Sequence, residues 1–388
     1  MRPRPAFLTV FGSLAAAALA ATSAVAAVPS DGPSAAPAVS QAVLATDTDG
    51  DSLPDSWETN GYDANGDGVI DVNLKAMGAD PKKKDLFVEM DYMSGRLASV
   101  AALDRIVQVF AQAPVSNPNG TTGIKIHLDA GTARGTAYNL GGGNQVAYDA
   151  DLNPSASQTT AIKNANFKSV RKAVFHYMLW ADSYDGGCSS GQAFNIPNDT
   201  FIVTVGPKCT WNATDNTNVG TFIHELGHNL GLRHGGSDNG NYKPNYLSVM
   251  NYFFQLGGVP KADGTRYWSY SNVAPAALNE TSLKESVGLG ATASAYKTSW
   301  KCPNGTSRTT TGAASGPIDW NCDGDATDTT AADINDDNAN TTLTTQNNWA
   351  NIVFGGGAVG QGANLQSKTA QAELQEMTHS EWTKLQQH

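Results

Sequence analysis

The stretch Thr221–Gly236 reads TFIHELGHNLGLRHGG and fits the pattern H-E-x-x-H-x-x-G-x-x-H at every fixed position. Residues four apart lie one turn above each other on an α-helix, so His224 and His228 can direct their imidazoles at one ion. Gly231 permits the left-handed backbone that ends a helix, which lets the chain return with His234. Three neutral imidazoles are typical of a catalytic zinc site, because they leave one tetrahedral position for water.

Glu225 follows the first histidine of this pattern and is expected to lean over the same ion without binding it. Zinc lowers the pKa of a bound water to about 7 and polarises a carbonyl group. In this position a carboxylate can take the proton of that water and return it to a leaving amine. The stretch therefore predicts a zinc-dependent hydrolase of peptide bonds with Glu225 as the general base.

A second motif follows downstream, where residues 248–252 read SVMNY, with Met250 at a turn position and Tyr252 two residues later. Together the two motifs resemble the metzincin clan of zinc metallopeptidases of the secreted bacterial type, in the S-x-M-x-Y form of the astacin-like and serralysin-like branches. The resemblance covers residues 221–252. It implies that Tyr252 approaches the zinc or the oxyanion. A packed aromatic is the alternative for Tyr252, and a core filler is the alternative for Met250.

The same resemblance implies an α+β fold with a two-lobed catalytic domain. Such a domain has a twisted mixed sheet, an active-site helix and a loop-rich C-terminal subdomain, with zinc at the floor of a cleft. The sequence pattern is consistent with this order. It predicts an amphipathic helix over 97–113 and a zinc helix that begins near 216–219. Strands are predicted at 85–91, 123–128 and 200–205, an ambiguous strand or helix at 170–180, a loop-rich region at 131–160 and a final helix over 370–385.

The N-terminal residues 1–27 have the pattern of a secretory signal peptide, with Arg2 and Arg4 before a short apolar run and small residues at its end. A membrane anchor is the alternative, but the run is short and rich in alanine. Residues 28–45 are rich in Ala, Pro and Ser, which indicates a disordered linker or a short pro-segment. We therefore expect a secreted, extracellular protein whose peptidase domain spans residues 84–388.

The formal net charge of −11 and the four cysteines describe the expected surroundings of the protein. An acidic surface disfavours nucleic acid and anionic membranes as partners, which leaves protein or peptide substrates. The oligomeric state does not follow from the sequence. An even number of cysteines in an exported chain predicts disulfides, and three pairings are possible. Proximity in the sequence favours Cys188–Cys209 and Cys302–Cys322.

Residues 46–75 carry short oxygen-bearing side chains at alternate positions, which is typical of calcium-binding loops because calcium takes roughly 6–8 oxygen ligands. The two loops resemble those of thrombospondin type 3 repeats or dockerin-like modules. Solvated acidic turns are the alternative. A third acidic stretch at 317–337 has the same pattern at its start, from Asp319 to Gly324. The calcium candidates are Asp47, Asp49, Asp51, Asp55 and Glu58 in the first loop and Asp63, Asn65, Asp67 and Asp71 in the second.

Two other functions remain open at this point. One is a calcium-dependent extracellular binding protein with a vestigial zinc site, and the other is a metallohydrolase of a non-peptide amide or ester. The intact Glu225 favours catalysis, because a binding protein has no use for a general base. Two further histidines, His127 and His176, fall in predicted core segments and are interpreted as structural.

Overall fold

The computed structural model describes residues 45–361 and 374–386. The predicted signal peptide and all but the last residue of the predicted linker lie outside these residues. None of the helices in the described ranges has the length and apolar character needed to cross a membrane. The helices are α1 (Asp55–Asn60), α2 (Leu74–Met77), α3 (Val100–Ala111), α4 (Ser155–Asn166), α5 (Asp215–Asn229) and α6 (His379–Leu385). The strands are β1 (Asp85–Met93), β2 (Lys125–Asp129), β3 (Gln145–Val146), β4 (Phe175–Trp180), β5 (Gly191–Ala193), β6 (Thr200–Val203), β7 (Val259–Pro260), β8 (Arg266–Tyr267), β9 (Leu278–Asn279), β10 (Leu283–Lys284), β11 (Ser299–Lys301), β12 (Ser307–Thr309), β13 (Thr329–Thr330) and β14 (Thr342–Leu343).

Strands β1 to β6 form one mixed sheet in the order β2-β1-β4-β6-β5, and β3 pairs with the end of β1. The pairs of β1 with β2, β3 and β4 and of β4 with β6 are parallel, whereas β5 runs antiparallel to β6. Every residue of β4 is buried, as expected for a parallel strand covered on both faces. The mixed α+β fold with a twisted mixed sheet, which the sequence predicted, is therefore confirmed.

Helix α5 carries His224, Glu225 and His228, and it is buried along most of its length. It begins at Asp215, slightly before the predicted start, because Thr214 and Thr217 cap its first turn reciprocally. The ring of Phe222 packs on the sheet, 5.9 Å from Trp180 and 5.3 Å from Phe201 between ring centroids. Large aromatic side chains thus fix the helix against strands β4 and β6.

Two segments of the N-terminal half differ from the sequence-based expectation. Helix α4 begins at Ser155, inside the region 131–160 that the sequence predicts to be loop-rich, and it continues to Asn166. Its sequence, SASQTTAIKNAN, offers few apolar residues for a periodic pattern, so the helix escapes detection. The ambiguous segment 170–180 resolves into the strand β4 after a short turn.

Beyond Tyr252 the chain forms short antiparallel strand pairs around a separate apolar cluster, in which Trp300 and Trp320 meet edge to face. The disulfides Cys188–Cys209 and Cys302–Cys322 have the predicted pairing. The predicted final helix over 370–385 is too long: of its described part, only His379–Leu385 is helical. Thr378 caps this helix, and residues 374–378 before it are not helical.

Candidate metal centre

Three imidazoles converge at the C-terminal end of helix α5. The Nε2 atoms of His224, His228 and His234 lie 3.2 Å from one another in each of the three pairings. His224 and His228 stand one helical turn apart. The chain then turns at Gly231, whose φ of 86° suits glycine, and returns with His234. All three side chains are buried.

The backbone orients two of these rings. Nδ1 of His224 lies 2.8 Å from the carbonyl oxygen of Val249, and Nδ1 of His228 lies 2.8 Å from that of Leu232. Each Nδ1–H donates to its carbonyl, so each Nε2 turns a lone pair toward the centre. Burial lowers the pKa of His224 and lowers that of His234 to about 4, which keeps both rings neutral at pH 7.

This arrangement fits a zinc ion. Zinc bound by tetrahedral nitrogens at about 2.0–2.1 Å holds them about 3.3–3.4 Å apart. The 3.2 Å separations of the three Nε2 atoms are close to that value. Lone pairs of two oriented imidazoles at this distance have no proton between them, and a cation is the natural partner for such a set.

Glu225 is fully buried beside the histidines. Its carboxylate lies against Gly191 on the edge strand β5, where an added Cβ would stand 2.6 Å from Oε1. The small residue therefore leaves room for the carboxylate at the edge of the sheet. This edge is where an extended peptide can add as a further strand, so the carboxylate stands near a suitable place for a substrate.

The downstream motif lies beneath and beside the histidines. Met250 is buried under helix α5 at Gly227, where a Cβ would come within 2.4 Å of the methionine sulfur. The ring of Tyr252 lies 4.7 Å from that of His234 between centroids. Burial raises the pKa of Tyr252 well above its usual value, so its hydroxyl keeps its proton.

Glu376 is a fourth group at this centre, and no sequence motif predicts it. Its carboxylate oxygens lie 3.0 Å from Nε2 of His224, 3.2 Å from that of His228 and 3.3 Å from that of His234. The Tyr252 hydroxyl donates to it over 3.3 Å. The residue stands 152 positions after His224, in a segment predicted as helix, and no local motif surrounds it.

A second buried cluster forms where the first acidic loop meets strand β1. Asp51, Glu58 and Asp85 offer carboxylate oxygens within 4.8 Å of one another, as do Asp47, Asp49 and Asp51. Glu58 is 1% exposed, and neither of its carboxylate oxygens has a hydrogen-bond partner. Burial, followed by the charges of nearby aspartates, raises the pKa of Glu58 to about 10. Buried carboxylates without donors are suitable ligands for calcium.

The remaining loop candidates do not join this cluster. The Asp55 carboxylate accepts from the backbone N–H and the hydroxyl of Thr48, over 2.7 and 2.6 Å. In the second loop, Asp63 accepts from the N–H groups of Gly66 and Gly68. Asp63, Asp67 and Asp71, all of which the structure describes, do not bring three carboxylates within 4.8 Å of one another.

The two other histidines lie away from the centre. His127 stacks on Phe87 with ring centroids 4.1 Å apart and contacts the Asp85 carboxylate. His176 is buried on strand β4, where burial lowers its pKa to about 4. Neither of them contributes to the histidine cluster.

Two helical histidines, a third beyond a glycine turn and a neighbouring glutamate define the class of zinc-dependent metallohydrolases. A family model described as metallo-peptidase family M12B, reprolysin-like, matches residues 122–235. The match includes all three histidines and Glu225, and it supports a zinc-dependent metallopeptidase with protein or peptide substrates. No curated protein and no solved structure matches the chain.

Proposed function

We propose that the chain is a secreted zinc-dependent endopeptidase of the metzincin type, with His224, His228 and His234 as the zinc ligands and Glu225 as the general base. The observation that carries this proposal is the convergence of three Nε2 atoms, 3.2 Å apart, beside a buried carboxylate. The two disulfides support export, because they persist in oxidising compartments.

Zinc at this centre would acidify a water molecule and polarise a peptide carbonyl. Glu225 takes a proton from the attacking water and returns it to the leaving amine. The Tyr252 hydroxyl, which burial keeps protonated, donates a hydrogen bond to the developing oxyanion. The backbone carbonyls of Val249 and Leu232 hold the His224 and His228 rings in the required tautomer throughout.

The proposal includes calcium as a structural cofactor. The first loop is the better candidate, because Asp49, Asp51 and Glu58 are buried and meet Asp47 and Asp85 at its base. The exposed second loop, with Asp63, Asn65, Asp67 and Asp71, is the weaker candidate, and Asp55 is partnered by Thr48. Bound calcium would neutralise carboxylates that otherwise repel one another where the loop meets β1.

The general-base role is tested with Glu225→Gln. We expect its rate of casein or peptide cleavage to fall by about 10²–10⁴-fold while the zinc content is unchanged. Asp263→Asn, a matched loss of one carboxylate on the exposed β7–β8 turn, should leave both quantities unchanged. Cleavage by Glu225→Gln at the wild-type rate would contradict the proposal. A calcium-dependent binding protein would be favoured if no variant of the chain cleaved any peptide.

A further inference from the structure

The Glu376 carboxylate completes a closed set of four protein groups around the proposed zinc position. Its oxygens stand 3.0–3.3 Å from the three Nε2 atoms, which are the distances between neighbouring ligands of one tetrahedral ion. The residue is 2% exposed. Four protein ligands are typical of structural zinc sites, whereas a catalytic site keeps one position for water. A peptidase with this site must therefore release the carboxylate before it can act.

We infer that Glu376 is a removable fourth ligand of the proposed zinc and that the segment 374–379 holds the enzyme in a latent form. This inference rests on the proposed function. The segment brings its own ligand to the position that water needs for catalysis. Because the ligand belongs to the same chain, its local concentration at the ion is fixed by the fold and does not change on dilution.

The backbone of this segment is held as an added strand. The N–H of Ser190 donates to the carbonyl of Met377 over 2.9 Å, and the N–H of His379 donates to the carbonyl of Cys188 over 2.9 Å. Ser189 and Thr378 form the antiparallel bridge between these two bonds. On the opposite side of this stretch, the carbonyls of Ser189 and Ser190 accept hydrogen bonds from the hydroxyl and the N–H of Thr204, which follows β6. The segment thus covers the free edge that leads into β5.

This edge is also the place where a peptide substrate can add as a strand beside Glu225, so the segment blocks substrate and water together. The Cys188–Cys209 disulfide fixes one end of the edge. The Tyr252 hydroxyl lies within hydrogen-bond distance of both the Gln375 carbonyl oxygen and the Glu376 carboxylate, which share its one proton. The phenol proposed for oxyanion stabilisation is therefore engaged by the segment in the latent form.

Helix α6 anchors the other end of the segment. Trp382 and Leu385 pack against the apolar cluster that includes Phe222 and Met250, and they line a cavity of about 680 Å³ with Phe253. The helix presents no fully buried residue, so this attachment is shallow. Between this helix and Glu376, Met377 is fully buried in the same apolar cluster, so release of the segment must withdraw this side chain as well as break the backbone bridge.

The test compares full-length zinc-loaded wild type with Glu376→Ala and Glu376→Gln. The probes are a short fluorogenic peptide and a peptide hydroxamate that binds the zinc directly. A blocked site lowers apparent affinity by the fraction of open molecules, and it lowers kcat/KM by the same fraction. We therefore expect Glu376→Ala to raise kcat/KM and to lower the hydroxamate Kd by one common factor, at least about tenfold.

The coordination itself is read from the visible absorption of the cobalt(II)-substituted protein, which does not depend on turnover. Replacing a carboxylate ligand by water should change this spectrum in both Glu376 variants. Glu381→Gln is the matched control, because the amide oxygen can still accept from Thr378. It removes the same charge from helix α6, which adjoins the segment, and should behave like wild type.

The outcomes separate the inference from the proposed function. Unchanged kcat/KM, hydroxamate Kd and cobalt spectrum in Glu376→Ala, or a fall in kcat/KM, would overturn the latent fourth ligand while the peptidase stands. A changed spectrum and tighter hydroxamate binding with no cleavage by any form would support the fourth ligand and reject the peptidase.

A second and independent observation concerns Glu285 in the loop-rich C-terminal part. This glutamate is fully buried, and its Oε1 accepts from the N–H of Trp320 over 2.7 Å, whereas Oε2 is buried without a hydrogen-bond partner. Its carboxylate meets those of Asp325 and Asp328 within 4.8 Å. Three acidic groups at this distance repel one another unless a cation or a proton lies between them.

We propose a calcium site that Glu285 completes from outside the acidic loop 319–328. The loop begins like a calcium loop but lacks an acid at its twelfth position, which is usually a bidentate glutamate. Glu285 lies in the short turn directly after β10, and its carboxylate meets those of Asp325 and Asp328 in the second half of the loop, where it adds a buried acid from outside the loop. The Cys302–Cys322 disulfide ties the loop to β11, so the site would bind its ion on a preformed frame.

Calorimetric titration of the calcium-free, full-length protein with calcium tests this site. We expect Glu285→Gln to bind one ion fewer than wild type. Asp328→Asn should weaken one site by about tenfold and is the safer variant, because its exposed side chain accepts none of the backbone bonds that Glu285 holds. Asp263→Asn is the matched control. Equal numbers and affinities of calcium ions in wild type and in both variants would overturn the site.

Discussion

The histidine cluster and the acidic cluster at the base of the first loop both gather buried ligand atoms, but they differ in charge. His224 and His228 are oriented by backbone carbonyls, and burial favours the neutral form of His224. The carboxylates of Asp51, Glu58 and Asp85 repel one another when charged, and no hydrogen-bond donor reaches the carboxylate of Glu58. Three imidazoles with a single carboxylate, that of Glu376, can persist without their ion, whereas three clustered carboxylates cannot all stay charged. We therefore expect zinc to supply chemistry and calcium to supply stability.

The largest expected effect comes from removing each metal separately. Stripping zinc should lower peptide cleavage by at least about 10³-fold and leave the protein folded, because the ring orientations come from the backbone. Stripping calcium with a selective chelator should lower the Tm but preserve cleavage at 25 °C. Activity assays and thermal unfolding of both forms check this contrast. Equal effects of removing the two metals on cleavage would contradict the assignment of chemistry to zinc and stability to calcium.

The second-largest expected effect is a pH dependence of stability that arises at Glu58 in the acidic cluster. In calcium-free protein the pKa of Glu58 is raised to about 10, above its unfolded value near 4.5, so the folded chain holds this proton more tightly. Protonated Glu58 therefore contributes its full share to the free energy of unfolding below pH 4.5, and this contribution is lost as the pH rises toward 10. Raising the pH from 5 to 8 in chelator should destabilise wild type relative to Glu58→Gln by on the order of 2 kcal/mol.

With calcium bound, wild type should instead be more stable than Glu58→Gln at pH 8, because the ion replaces the proton on Glu58. Denaturant unfolding of both proteins at the two pH values, with and without calcium, measures the difference. Identical pH slopes for wild type and Glu58→Gln in chelator would show that the Glu58 carboxyl is not perturbed as described.

These two clusters also show what the sequence could predict. His224, Glu225, His228 and His234 follow from one motif, because helix geometry and a glycine turn act over a few residues. Strands β1, β2 and β6 and helix α3 follow from their local apolar patterns, whereas the segment that forms β4 is ambiguous in sequence. Glu376 belongs to the same centre only through the docking of a distant segment on a sheet edge, and Asp85 joins the acidic cluster only because β1 meets the loop. Such tertiary juxtapositions leave no local pattern.

A smaller effect is expected at Gly227, where helix α5 rests on the methionine below the histidines. Gly→Ala inside a helix stabilises by up to about 1 kcal/mol on propensity alone. Here a Cβ would stand 2.4 Å from the sulfur of Met250 and 3.0 Å from Tyr270. We expect Gly227→Ala to destabilise by about 1–3 kcal/mol instead, because overpacking outweighs propensity.

A double-mutant cycle with Met250→Ala checks the cause of that loss. If the sulfur is responsible, Gly227→Ala should cost less in the Met250→Ala background than in wild type. Equal costs in the two backgrounds would assign the effect to another neighbour, and a net stabilisation would contradict the close packing of the helix on Met250.

The smallest effect concerns His176, the buried histidine of β4 outside both clusters. Burial lowers its pKa to about 4, below the unfolded value of 6.5, so the unfolded chain takes up this proton first as the pH falls. Its contribution to stability is therefore lost from pH 6.5 down toward 4. Between pH 7 and 5.5, wild type should lose about 1 kcal/mol more than His176→Gln in denaturant unfolding. Equal losses would exclude a buried neutral ring.

The most direct test of the account is X-ray absorption spectroscopy at the zinc edge on the mature, full-length protein, with Glu376→Ala beside it. We expect one zinc per chain with three imidazole nitrogens at about 2.0–2.1 Å and one carboxylate oxygen, and a water-type oxygen in its place in the variant. Absence of bound zinc, or a shell with fewer than three imidazoles, would contradict the histidine site on which the proposed chemistry depends.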